Sequence, residues 1–164
     1  MLKYSVATAL LAAGLLVGSQ ALAQDASATP DQSAAMAASA PRDPSLKPVF
    51  EQFGGKPGLV ALVNDFMDNL MADPVTKPFF ANADREHIKK ELVDQFCVIL
   101  DGPCTYTGRD MASVHKGMGV NRTDFNALVE DLQTAMNKHK IPFRAQNKLL
   151  AKLAPMHDVI ITKK

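Results

Sequence analysis

Leu59, Leu62, Val63, Phe66, Met67 and Leu70 recur at i, i+3, i+4, i+7, i+8 and i+11, one wide apolar stripe along a helix. Gly54 and Gly55 separate this helix from a short segment over residues 48–53, and Pro74 and Pro78 end it in a tight turn over residues 75–79. A second helix is predicted from an Asp84 N-cap, carrying Ile88, Leu92, Val93, Phe96 and Ile99 until Gly102-Pro103 stops it. Thr123 is the expected cap of a third, with Phe125, Leu128, Val129, Leu132 and Met136 on its apolar face. Pro142 opens a final helix with Leu149, Leu150, Leu153, Met156, His157 and Ile160 on or near one side. No stretch alternates with period two and no repeat is visible, so the predicted fold class is all-α. Between the second and third helices, residues 101–120 hold four glycines and a proline, with room only for a short helix over 109–116. A loop of that length in a small helical domain has a function or something to wrap around.

The chain of 164 residues divides into three parts. Residues 1–23 combine Lys3, an apolar run of Ala, Leu, Val and Gly, and the small-x-small triplet Ala21-Leu22-Ala23. This is the pattern of a cleaved secretory signal peptide, and its apolar run falls short of the roughly 20 residues of a membrane span. Residues 24–47 are rich in Ala, Ser, Pro and Asp with no aromatic, and they read as a flexible, disordered linker; the other reading, an Ala-rich helix packed on the body, is interrupted by Pro30, Pro41 and Pro44. Residues 48–164 form the folded domain. The expected location is therefore periplasmic or secreted, with no stable membrane association after cleavage.

Composition narrows function mainly by exclusion. The whole chain has a formal charge of +1, and removing Lys3 with the leader leaves 18 − 1 = 17 basic against 17 acidic residues. A neutral domain offers no electrostatic footprint for nucleic acid. Nucleophile-elbow, phosphate-loop, zinc-protease, EF-hand and CxxC patterns are all missing, and without CxxCH a c-type haem attachment is excluded. The acid pairs Asp65/Asp68 and Glu130/Asp131 read as solvated helix faces, and His139 as a solvated residue near a helix end. Cys97 and Cys104 are open to two readings, a disulfide outside the cytoplasm or a buried apolar Cys97. What remains is His115, four residues after Met111 and followed by Gly117, Gly119 and Val120. A single neutral imidazole on a short helix beside an apolar pocket suits a five-coordinate haem iron. By spacing alone a lone histidine is more often a surface or hydrogen-bonded residue.

A resemblance changes that balance. Residues 50–160 resemble the group 1 truncated haemoglobins. The likeness is carried by the run Phe50-Glu51-Gln52-Phe53-Gly54-Gly55, by Asp65-Phe66 with Ala72-Asp73-Pro74 and Phe79-Phe80, and by Tyr106-Thr107-Gly108-Arg109-Asp110-Met111 followed by His115-Lys116-Gly117-Met118-Gly119-Val120. Phe125 and Leu132, then Leu153-Ala154-Pro155, extend it to the end. The resemblance implies a shortened, two-over-two globin fold around haem b, protohaem IX with its iron. His115 matches the proximal iron ligand and Phe80 the corner phenylalanine on the porphyrin. Met111, Met118, Val120 and Phe125 match haem-lining positions of the proximal side, and Tyr106 a position near a propionate. Phe96 would face the cavity. His157, in an Ala-Pro-x-His run, matches a histidine that bonds a haem vinyl group in some cyanobacterial relatives, with plain contact or exposure as the other readings.

The departures bear on ligands. Many relatives carry Tyr where this chain has Met67, and polar residues where it has Ile88 and Leu92. His87 is expected to point outward, and Glu91 is a poor haem ligand. The implied function is reversible binding of diatomic gases (dioxygen, carbon monoxide, nitric oxide) at a five-coordinate iron with an apolar distal pocket. Nitric oxide dioxygenation or peroxidase-like turnover with an unknown electron donor is the alternative, so enzymatic activity stays open. A helical binding module without haem is the reading of a different class.

Overall fold

The computed structural model describes residues 30–163; the leader expected over 1–23, residues 24–29 and Lys164 lie outside the described residues. Among the described residues all regular structure is helical, as the periodicity predicts. In chain order come α1 Pro30–Ser39, α2 Lys47–Gln52, α3 Gly55–Ala72, α4 Lys77–Phe80, α5 Arg85–Ile99, α6 Met111–His115, α7 Arg122–Lys138, α8 Phe143–Leu153 and α9 His157–Ile160. Short 3-10 turns occupy Pro44–Leu46 and Ala154–Met156.

The stripe on α3 makes it the central element. It packs against both α5 and α7. Leu59, Leu62, Phe66 and Leu70 join Phe96, Ile99 and Leu100 of the α5 region, Leu132 and Met136 of α7 and Leu149 of α8 in one buried cluster. Each such side chain contributes about 1.5–3 kcal/mol on leaving water, so this cluster is the main source of stability. Among the described residues no helix is long and apolar enough to cross a membrane.

Four expectations are corrected. The linker over 24–47 is, from residue 30 onward, ordered and attached to the body: Ser39, Ala40 and Leu46 are buried. Alanine-rich sequence forms a helix readily, and Pro30 sits at its first position, where a missing N–H costs nothing; Pro41 and Pro44 fall after its end. What holds it is polar and long-range. Arg42 donates to Asp101 Oδ1 at 2.9 Å, to the Gly102 carbonyl at 3.0 Å and to the Cys104 carbonyl at 2.9 Å. The expected final helix is divided, because Pro155 cannot donate to the ladder and α8 ends at Leu153. The cap of α7 is Asn121, not Thr123: its side chain accepts from Thr123 N and Asp124 N, and Asp124 returns the bond to the Asn121 N–H. The turn over 75–79 tightens into α4, opened by Pro78 near its first position.

Three polar residues taken for solvated ones are engaged. His139 Nε2 lies 2.7 Å from Asp65 Oδ2, and Lys138 Nζ lies 2.7 Å from Asp65 Oδ1, pinning the end of α7 to α3. Asp131 accepts from Thr76 Oγ1 at 3.2 Å, and burial raises its carboxyl above the ordinary range.

Candidate functional site

The site is built around α6, a helix of five residues. So short a helix has no stability of its own, and its ends must be held by other groups. Asp110 caps it, accepting from Ser113 N at 2.9 Å. After His115 the chain turns through Gly117 and Gly119 with φ of 79° and 69°, values that favour glycine. The backbone then enters a small pairing: the Val120 carbonyl accepts from Thr162 N and Lys163 N, each at 3.0 Å. These bonds bring the C-terminal residues against the segment after His115, and α9 packs on α6.

His115 Nδ1 lies 2.8 Å from the Met111 carbonyl. A carbonyl only accepts, so Nδ1 carries the proton and Nε2 the lone pair. Burial lowers the basicity of the imidazole below the ordinary value of 6.5, with the Met111 bond opposing the shift. The ring is therefore a neutral, oriented donor through Nε2, which makes no hydrogen bond among the described residues. Among those residues no group of three or more His, Cys, Asp or Glu could hold a metal ion.

The other residues singled out in the sequence differ in burial and in the elements that carry them. Met67 on α3 and Phe96 on α5 are buried in the main core. Phe80 at the end of α4, Ile88 and Leu92 on α5, and Met111 are partly buried and packed on that core. Val120 is buried, whereas Met118 is exposed at 38%. Phe125 on α7 meets His157 on α9 edge to face, with ring centroids 5.1 Å apart. His157 Nδ1 also lies 2.9 Å from Asp158 Oδ1. Tyr106 is half-buried, its hydroxyl donating to the Arg109 carbonyl at 2.7 Å. His87 on α5 is exposed. Cys97 and Cys104 form a disulfide that joins α5 to the loop leading into α6.

Sequence reasoning missed Gln95. It lies three residues after Leu92 and seven after Ile88, on the same side of α5, and it is buried. Its Nε2 donates to the Ser39 carbonyl at 2.6 Å and lies 3.7 Å and 3.8 Å from the sulfurs of Met111 and Met156. A polar residue on an apolar stripe was the available signal. Its partner, Ser39, stood in a segment read as a linker.

Residues 48–162 match the model of a family described as bacterial-like globin. A group 1 truncated hemoglobin of Tetrahymena thermophila is 36% identical over 90 residues, 55% of this chain and 74% of that relative. Another, from Mycolicibacterium paratuberculosis, is 28% identical over 114 residues, 70% of this chain and 84% of the relative. The crystal structure of truncated hemoglobin from Tetrahymena pyriformis in its Fe(III) form superposes with a TM-score of 0.67 at 28% identity, over 70% of this chain and 98% of that one. The all-α chain thus has the two-over-two arrangement that the resemblance implied.

Proposed function

The chain belongs to the bacterial-like globin family, whose members bind haem and diatomic gases, and from that premise we propose that His115 holds protohaem IX through Nε2 and that the iron takes up gases reversibly against an apolar ligand side. The observation that carries the proposal is the His115–Met111 bond. It supports the tautomer and orientation that an iron ligand needs, in the manner by which outer partners orient ligating histidines. Partly buried Phe80, Ile88, Leu92 and Met111 fit a porphyrin, which needs apolar walls on both faces. On the same reading Met67, Phe96, Met118, Val120 and Phe125 line the group, Tyr106 stands near a propionate, and His157 contacts the haem edge. The haem, when bound, supplies the iron on which gases are taken up; the protein's own residues set which gas is favoured.

Met67, Ile88 and Leu92 carry no N–H or O–H donor. The buried amide of Gln95 is engaged elsewhere: one N–H goes to the Ser39 carbonyl and the sulfurs of Met111 and Met156 lie 3.7 Å and 3.8 Å from the same nitrogen. Dioxygen taken up there would be the more polarised ligand and would depend on a donor more than carbon monoxide would. A hydrogen bond to a charged group is worth about 1.5–3 kcal/mol, one to two decades in affinity. Fast dioxygen release, ready autoxidation and a high ratio of carbon monoxide to dioxygen affinity follow. Stopped-flow and flash-photolysis kinetics of the ferrous protein test this. Met67→Tyr should slow dioxygen release about ten- to a hundredfold; slow release in the wild-type protein, unchanged by Met67→Tyr, would contradict an apolar ligand side.

Export belongs to the same proposal. The leader pattern at 1–23 supports it, and so does a disulfide, which persists in oxidising compartments. Intact-mass measurement on protein from its native host should find residues 1–23 removed, and a full-length mass would refute it.

A further inference from the structure

We propose that Ser39 is a positioning residue for His115, acting through Met111, and that α1 with the segment up to Arg42 is a strap that ties the α6 wall of the site to the α5 wall. The inference rests on the reading of His115 as the iron ligand.

Met111 is the first residue of α6, so its N–H has no partner within the helix. The partner comes from 72 positions away: Met111 N donates to Ser39 Oγ at 2.9 Å. The hydroxyl is itself oriented, because it donates to the Ala35 carbonyl at 2.9 Å and so presents a lone pair to Met111. The carbonyl of Met111 accepts from His115 Nδ1 at 2.8 Å. One residue is thus held from its amide side by the strap and from its carbonyl side holds the imidazole.

The same residue of the strap reaches the opposite wall. The Ser39 carbonyl accepts from Gln95 Nε2 of α5 at 2.6 Å. Three residues on, Arg42 grips the Asp101, Gly102 and Cys104 turn by which α5 leads into the loop before α6. Packing alone does not call for this arrangement. Ser39 is 3% exposed and Gln95 4% exposed, and burying two polar side chains costs free energy unless their bonds are made. An alanine and a leucine would fill the same space without that requirement.

Asp110 caps α6 at Ser113 N and Ser39 adds a second cap at Met111 N; without the second, the helix frays first at Met111, the residue that orients His115. Ser39→Ala removes the acceptor and leaves the backbone contact with Gln95 in place. Two readouts on the purified protein separate positioning from mere support. Amide hydrogen exchange at Met111 should accelerate about tenfold in Ser39→Ala. The iron–histidine stretching band of the unliganded ferrous protein, by resonance Raman, should shift or broaden. Ser39→Thr, which keeps the hydroxyl, should restore both. Unchanged exchange, an unmoved band, or a band that Ser39→Thr fails to recover would overturn the role of Ser39. Absence of any iron–histidine band in the wild-type protein would overturn the ligand assignment and this inference with it, while exchange at Met111 would still read the cap by itself.

Discussion

Tyr106 reports the state of the loop before α6. Its ring sits against Gly108, where an added Cβ would lie 2.6 Å from the ring carbons and collide with Glu91 Oε2. That oxygen is buried with no hydrogen-bond partner among the described residues. Burial, with the nearby charges of Glu91 and Asp110, pushes the Tyr106 phenol up to about 12. The fold therefore favours the protonated phenol, and the sign follows by linkage. The contribution is fully present below pH 10, the ordinary value, and is lost as pH rises through about 12. A chain starting at residue 24 holds Tyr106 and not Tyr4, the other of the two tyrosines. Its tyrosinate signal, followed by NMR against pH, should appear near 12; titration at 10 would mean that the loop does not enclose the ring. The glycine was legible as part of a motif, but its contact with Glu91 was not. That contact joins residues 17 positions apart, and no local pattern encodes it.

Helix positions were legible wherever an apolar stripe met a local stop signal, as in α3, α5 and α7. Each buries one face, and a buried face writes its period into the sequence. The ends were less legible. Asn121 rather than Thr123 caps α7, because the reciprocal bond from Asp124 selects the residue three before it. Asn121→Ala should cost about 1 kcal/mol, within the usual range of 0.5–2 for a lost cap, read as a lower denaturation midpoint with an unchanged slope. No loss of stability would show that the α7 terminus is held by packing alone. The helix α1 was legible only as the weaker alternative to a linker. Its residues carry no apolar stripe, and its attachments are a hydroxyl, a carbonyl and a guanidinium meeting partners more than fifty positions away. Composition marks such a segment as unable to build a core, which is true, and says nothing of whether an existing core will accept it.

At the scale of the molecule, the residues proposed to hold and line the haem lie on elements far apart in sequence. α3, α4 and α5 contribute Met67, Phe80, Ile88 and Leu92; α6, α7 and α9 contribute His115, Phe125 and His157. The candidate site could be put forward from the sequence because the motif around His115 is local, while Gln95 and Ser39 emerge only when the strap is in place. The central claim is that His115 is the protein's bond to haem iron. The measurement that tests it most directly is the visible absorption spectrum of the ferrous protein and its carbon monoxide complex, compared with His115→Gly in the absence and presence of imidazole. The account predicts a Soret band in the wild-type protein, loss of haem or of the normal ferrous spectrum in His115→Gly, and recovery when imidazole fills the space left by the side chain. A spectrum unaltered by His115→Gly, or no Soret band in the wild-type protein, would contradict it.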